Sequence, residues 1–123
     1  MPKPLSILVV DDSKVSRTVV IGLIRNRKPE AAIQEAGDGR SALTLVQQEA
    51  PDLIVLDINM PDMTGIELAE ILRPQFPQIR IALLTANVQD AMRAKADALG
   101  VPLFKKPAKG EIVDQILALL DAP

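Results

Sequence analysis

Short, unbroken apolar runs alternate with helical patterns along this chain. Residues 7–10 (Ile-Leu-Val-Val) and 53–56 (Leu-Ile-Val-Leu) are rich in branched side chains and have no polar face. Such runs predict strands buried on both sides. Residues 31–35 predict a weaker strand running into Gly37-Asp38-Gly39, and residues 79–84 and 101–105 two more. Between the strands the apolar period lengthens. Val15, Val19 and Leu23 recur at helical spacing after Ser13, a suitable N-cap. Ala42, Leu43 and Val46 mark a second helix that stops before Pro51. Thr64 opens a third, carrying Leu68, Ile71 and Leu72 and expected to end at Pro74. A fourth is expected over residues 88–99, with Asn87 as its cap and Gly100 just past its end. Ile112, Val113, Ile116, Leu117 and Leu120 form the buried stripe of the last.

Five strand–helix units with doubly buried strands imply an α/β fold, a parallel sheet covered on both faces. No linker, repeat or low-complexity segment interrupts the pattern, so residues 1–123 are expected to form a single domain with no output domain attached. Composition narrows the chemistry. There is no cysteine and no histidine, which removes disulfides, thiolate chemistry, the commonest zinc ligand and the commonest general base. A net charge of −2 without a basic block gives nucleic acid no obvious footprint. With only two aromatic residues, Phe76 and Phe104, stacking on bases is not expected either. Neither a signal peptide nor a membrane-length apolar stretch is present, so the expectation is a soluble, cytoplasmic protein.

In a parallel sheet all strand C-termini lie along one edge, where ligands bind. Four expected strands end there in reactive side chains: the first at Asp11-Asp12, the third at Asp57, the fourth at Thr85 and the fifth at Lys106. Singly, each has an ordinary explanation: a turn former, a helix cap, a solvated lysine. Jointly they form a site. Three converging carboxylates repel one another unless positive charge compensates them. Lys106 supplies one unit. A divalent cation supplies more, and hard oxygen donors without His or Cys favour Mg2+. Such a site suits phosphoryl transfer, with one carboxylate able to act as nucleophile and form an aspartyl phosphate.

In this order and spacing the residues closely resemble the receiver domain of two-component response regulators. The motifs are Leu8-Val9-Val10-Asp11-Asp12-Ser13, Asp57-Ile58-Asn59-Met60-Pro61 with Gly65, Thr85-Ala86, and Lys106-Pro107. The resemblance covers essentially the whole chain. It implies a flavodoxin-like sheet in the order 2-1-3-4-5 with five helices on its two faces. It also implies that Asp57 is the phosphoacceptor, Asp12 the direct Mg2+ ligand and Asp11 a ligand acting mainly through water. The Asn59 backbone carbonyl would be the third protein ligand. Thr85 and Lys106 correspond to the phosphate-sensing pair, and Lys106-Pro107 to a cis peptide bond. The chain departs from the family at Leu103, where an aromatic switch residue is usual. Phe104 is adjacent but should face the other side of the strand.

The expected function is a stand-alone response regulator. A histidine kinase or histidine phosphotransfer protein would phosphorylate Asp57, and a downstream target protein would read the result. Both a chemotaxis-type diffusible regulator and a phosphorelay intermediate fit. The rival is a Mg2+-dependent phosphohydrolase with an aspartyl nucleophile. Such enzymes often carry a second aspartate two residues on as general acid, and this chain has Asn59 there.

Overall fold

The computed structural model describes residues 4–121. Five strands, β1 (Ser6–Val10), β2 (Ala32–Ala36), β3 (Leu53–Asp57), β4 (Arg80–Thr85) and β5 (Leu103–Lys105), form one sheet in the order β2-β1-β3-β4-β5. Every pairing is parallel. The connections are α1 (Lys14–Arg27), α2 (Gly39–Gln48), α3 (Gly65–Gln75) and α4 (Asp90–Leu99), and α5 (Gly110–Ala118) closes the fold with a short 3₁₀ turn over Leu119–Asp121. This is the expected flavodoxin-like architecture.

Alternation along the central strands divides the core into two layers. Leu8, Val10, Ile54, Leu56, Ile81 and Leu83 pack under α2, α3 and α4. Ile7, Val9, Leu53, Val55, Ala82 and Leu84 pack under α1 and α5. β3 is buried at all five positions, which places its last residue, Asp57, at the centre of the carboxyl edge. The edge strand β2 is mostly exposed, in keeping with its weaker apolar signal.

Four local expectations are corrected. The buried face of α1 is Val20, Ile21 and Ile24, whereas Val15 and Val19 are 76% and 49% exposed. At 100° per residue Val15 and Val19 lie on the side of the helix turned away from Val20, Ile21 and Ile24. Pro74 sits inside α3 and does not end it. A proline this near a helix end forfeits one bond to the exposed Glu70, and the helix closes through the Phe76 N–H on the Leu72 carbonyl at 2.8 Å. Asn87 does not cap α4. Its N–H turns back to the Thr85 hydroxyl at 3.3 Å, and the helix begins later, with Gln89 at its N-cap and no side-chain cap bond. β5 is also shorter than expected. Gly100 has φ of 68°, and the Val101 N–H closes the end of α4 on the Ala96 carbonyl, which takes Val101 out of the strand. No helix among the described residues is long and apolar enough to cross a membrane.

Candidate functional site

The strand ends bring Asp11, Asp12 and Asp57 together: one carboxylate oxygen from each lies within 4.8 Å of the others. Asp11 and Asp57 are buried and Asp12 is exposed. Lys106 follows β5 and reaches into the cluster, with Nζ 2.9 Å from Asp11 Oδ2 and 3.4 Å from Asp57 Oδ1. Its own N–H donates to the Thr85 carbonyl at 2.8 Å, which ties the lysine to the end of β4. The Lys106–Pro107 peptide bond is cis. Lys105, by contrast, is exposed.

Each acid has a distinct electrostatic setting. Burial raises the Asp57 carboxyl first, and the negative Asp11 raises it further. Lys106 and the Asn59 amide pull the other way, and the balance leaves it at about 6. Burial also acts upward on Asp11, but the Ser16 hydroxyl, the Ser13 N–H and Lys106 outweigh it and hold this carboxyl below its usual range. Burial acts downward on the Lys106 ammonium, yet its two carboxylate partners prevail and raise it. The lysine therefore stays charged, and Asp57 is the acid least at ease as an anion.

The remaining expected residues fall around this cluster. Thr85 is fully buried, and its hydroxyl accepts the Asn87 N–H. Asn59 opens the exposed loop after Asp57. Leu103 is not part of the polar cluster; it pairs with Leu83 and packs in the layer under α4, whereas Phe104 packs in the opposite layer.

The loop after Asp57 is held at both ends. The Gly65 N–H bonds the Ile58 carbonyl at 2.8 Å, and Thr64 with Glu67 forms a reciprocal capping box at the start of α3. Sequence reading missed Asp62, midway along. Its Oδ1 accepts from the N–H groups of Gly39 and Met63, and its Oδ2 from that of Arg40. Asp38 takes the next donor, Ser41 N–H, at 2.7 Å. The first donors of α2 are thus satisfied by the loop that leaves the site, and Gly39 leads the causes that hold the Asp62 carboxyl below its usual range. Only an acid at position 62 hinted at this, and no spacing rule links it to a helix start 23 residues earlier. Asp62→Ala is expected to lower the thermal midpoint. It should also speed amide hydrogen exchange at Gly39 and Arg40 selectively, as read by NMR. Unchanged exchange at those two amides would show that the contact carries no stability.

Three carboxylates without imidazole or thiolate form an all-oxygen donor set that fits a hard divalent cation such as Mg2+. The fold and the acidic cluster together define a receiver-type signalling domain. Residues 7–117 match the family model of the response regulator receiver domain, and the chain belongs to that family. The chemotaxis protein CheY4 of Vibrio cholerae has a similar structure, with a TM-score of 0.85 at 29% identity, covering 96% of this chain and 99% of that one. The probable transcriptional regulatory protein TcrX of Mycobacterium tuberculosis is 36% identical over 96% of this chain and 50% of its own length. A protein-glutamate methylesterase/protein-glutamine glutaminase of Pyrococcus horikoshii is 31% identical over 96% of this chain but only 34% of its own. The chain therefore spans half the length or less of these curated relatives.

Proposed function

We propose that this protein is a phosphorylation-switched regulator in which Asp57 accepts a phosphoryl group from a histidine kinase or a histidine phosphotransfer protein. The observation that carries this reading is the position of Asp57: buried at the end of the central strand, 3.4 Å from Lys106 and grouped with Asp11 and Asp12. An Asp57 oxygen attacks phosphorus, the bond to the donor imidazole breaks, and the released imidazole takes up a proton. Asp12, Asp57, the Asn59 carbonyl and, through water, Asp11 would hold Mg2+. Bound there, the ion would neutralise charge on the phosphoryl oxygens and the acids. Lys106, held by Asp11, is poised to contact one phosphoryl oxygen. The Thr85 hydroxyl would turn from the Asn87 main chain to another, which releases the loop before α4. That movement, with a shift of Leu103 beside it, would report phosphorylation to a target protein.

Residues 1–123 would act in the cytoplasm as a free-standing unit, either as a chemotaxis-type diffusible regulator or as a phosphorelay intermediate. The likeness to the chemotaxis protein CheY4 supports the diffusible regulator. Asn59, which cannot serve as a general acid, speaks against a phosphohydrolase. Incubation with acetyl phosphate and Mg2+ should add one phosphoryl group by intact mass, and chelation of the metal should prevent it. No mass change with the metal present would refute the reading.

A further inference from the structure

Asp12 is the one acid of the cluster whose side chain has no hydrogen bond or ion pair among the described residues. Its carboxylate is therefore placed by its main chain alone. That main chain is a short turn between β1 and α1, and three of the hydrogen bonds that hold it are made through Asp11. The Asp11 N–H donates to the Ala36 carbonyl at 3.1 Å, and the Ser13 N–H donates to Asp11 Oδ1 at 2.9 Å. The third comes from a distance: Arg17 Nη1 donates to the Asp11 carbonyl at 2.5 Å. This carbonyl belongs to the peptide that joins Asp11 to Asp12, so its orientation sets the direction in which Asp12 leaves the strand.

The guanidinium is itself held. Arg17 Nε donates to Glu35 Oε1 of β2 at 2.8 Å, and the arginine side chain is only 15% exposed. A planar fork pinned by one nitrogen aims the other in a fixed direction. A lysine offers its donors from a single nitrogen on a flexible stem, so it lacks the fixed spacing between two nitrogens with which Arg17 meets both partners.

We infer that Arg17, oriented by Glu35, is a positioning residue that places Asp12 for cation binding through the Asp11 carbonyl. The inference rests on the proposed Mg2+ site. Calorimetric titration of the full chain with Mg2+, each variant first shown to be folded by circular dichroism, tests it. Arg17→Ala should weaken Mg2+ binding about tenfold, as loss of an outer-shell partner does. In an Asp12→Ala background the same change should alter affinity by less than about twofold, because the residue it acts through is gone. Arg17→Lys should recover only part of the loss, and Glu35→Ala should show a smaller loss in the same direction. The last two variants decide the matter if Arg17→Ala does not fold. Wild-type affinity in Arg17→Ala, or in both Arg17→Lys and Glu35→Ala, overturns the inference and leaves the proposed function standing. An undiminished effect without Asp12 overturns it too. A wild type that binds no Mg2+ refutes both readings together.

Discussion

Replacing Asp57 by asparagine is expected to abolish phosphoryl uptake from acetyl phosphate and, at the same time, to stabilise the fold. The first effect follows if Asp57 is the nucleophile, since an amide cannot form the acyl phosphate. The second follows from burial. An ordinary aspartate titrates near 3.8, and in the fold Asp57 is pushed up to about 6. Between these values the folded protein holds the proton more tightly than the unfolded chain. Stability is therefore lost as pH rises through about 6, and the carboxylate burdens the fold at every pH above that. A gap of about two units corresponds to roughly 2–3 kcal/mol. Asparagine removes this burden without orphaning the lysine, because Lys106 keeps Asp11 at 2.9 Å. Urea unfolding without Mg2+ should show the variant ahead of the wild type well above pH 6 and level with it near 3.8. A variant that is less stable at neutral pH, or that still gains phosphoryl mass, would contradict the assignment of Asp57.

The second large effect concerns Gly65. A Cβ built there would lie 2.3 Å from the Asp57 carbonyl oxygen and 3.0 Å from both Asp57 C and Ile58 Cα. All three are backbone atoms, so no rotamer change relieves the clash. Either α3 moves off the sheet or the end of β3 shifts. Gly65→Ala should therefore cost about 3 kcal/mol, at the upper end of what overpacking costs. Because the displaced backbone carries Asp57, phosphoryl uptake should also slow, by on the order of 100-fold for a shift near 1 Å. Gly22→Ala is the control. It makes the same change in the middle of α1, where nothing lies within 4 Å of the new carbon, and it should stabilise by roughly 0.5–1 kcal/mol. Equal stability losses in the two variants would show that the close approach at Gly65 is not what requires glycine.

The fold was largely legible because strand burial and helical period are local signals. The acids were legible for a related reason: residues that end parallel strands must converge. What escaped depends on reach between elements. Arg17 looks like any exposed helical arginine until its guanidinium is seen spanning Asp11 and Glu35. Asp62 reads as a turn residue, and only the fold brings α2 onto it. The errors have the same origin. Val15 and Val19 fit the helical period, but the helix presents the opposite face, Val20, Ile21 and Ile24, to the core. Asn87 had the chemistry of a cap, but α4 starts only at Asp90, with Gln89 at its N-cap, so Asn87 lies outside the helix.

The leucine on β5 has a practical consequence as well. The chain has no tryptophan and no tyrosine, so it is nearly dark to near-ultraviolet absorbance and emits no indole fluorescence. An indole introduced at Leu103, half-buried beside Leu83 and three residues from Lys106, would be the only such emitter in the molecule. Its colour and intensity would then report events at this one strand, free of any background from the rest of the protein.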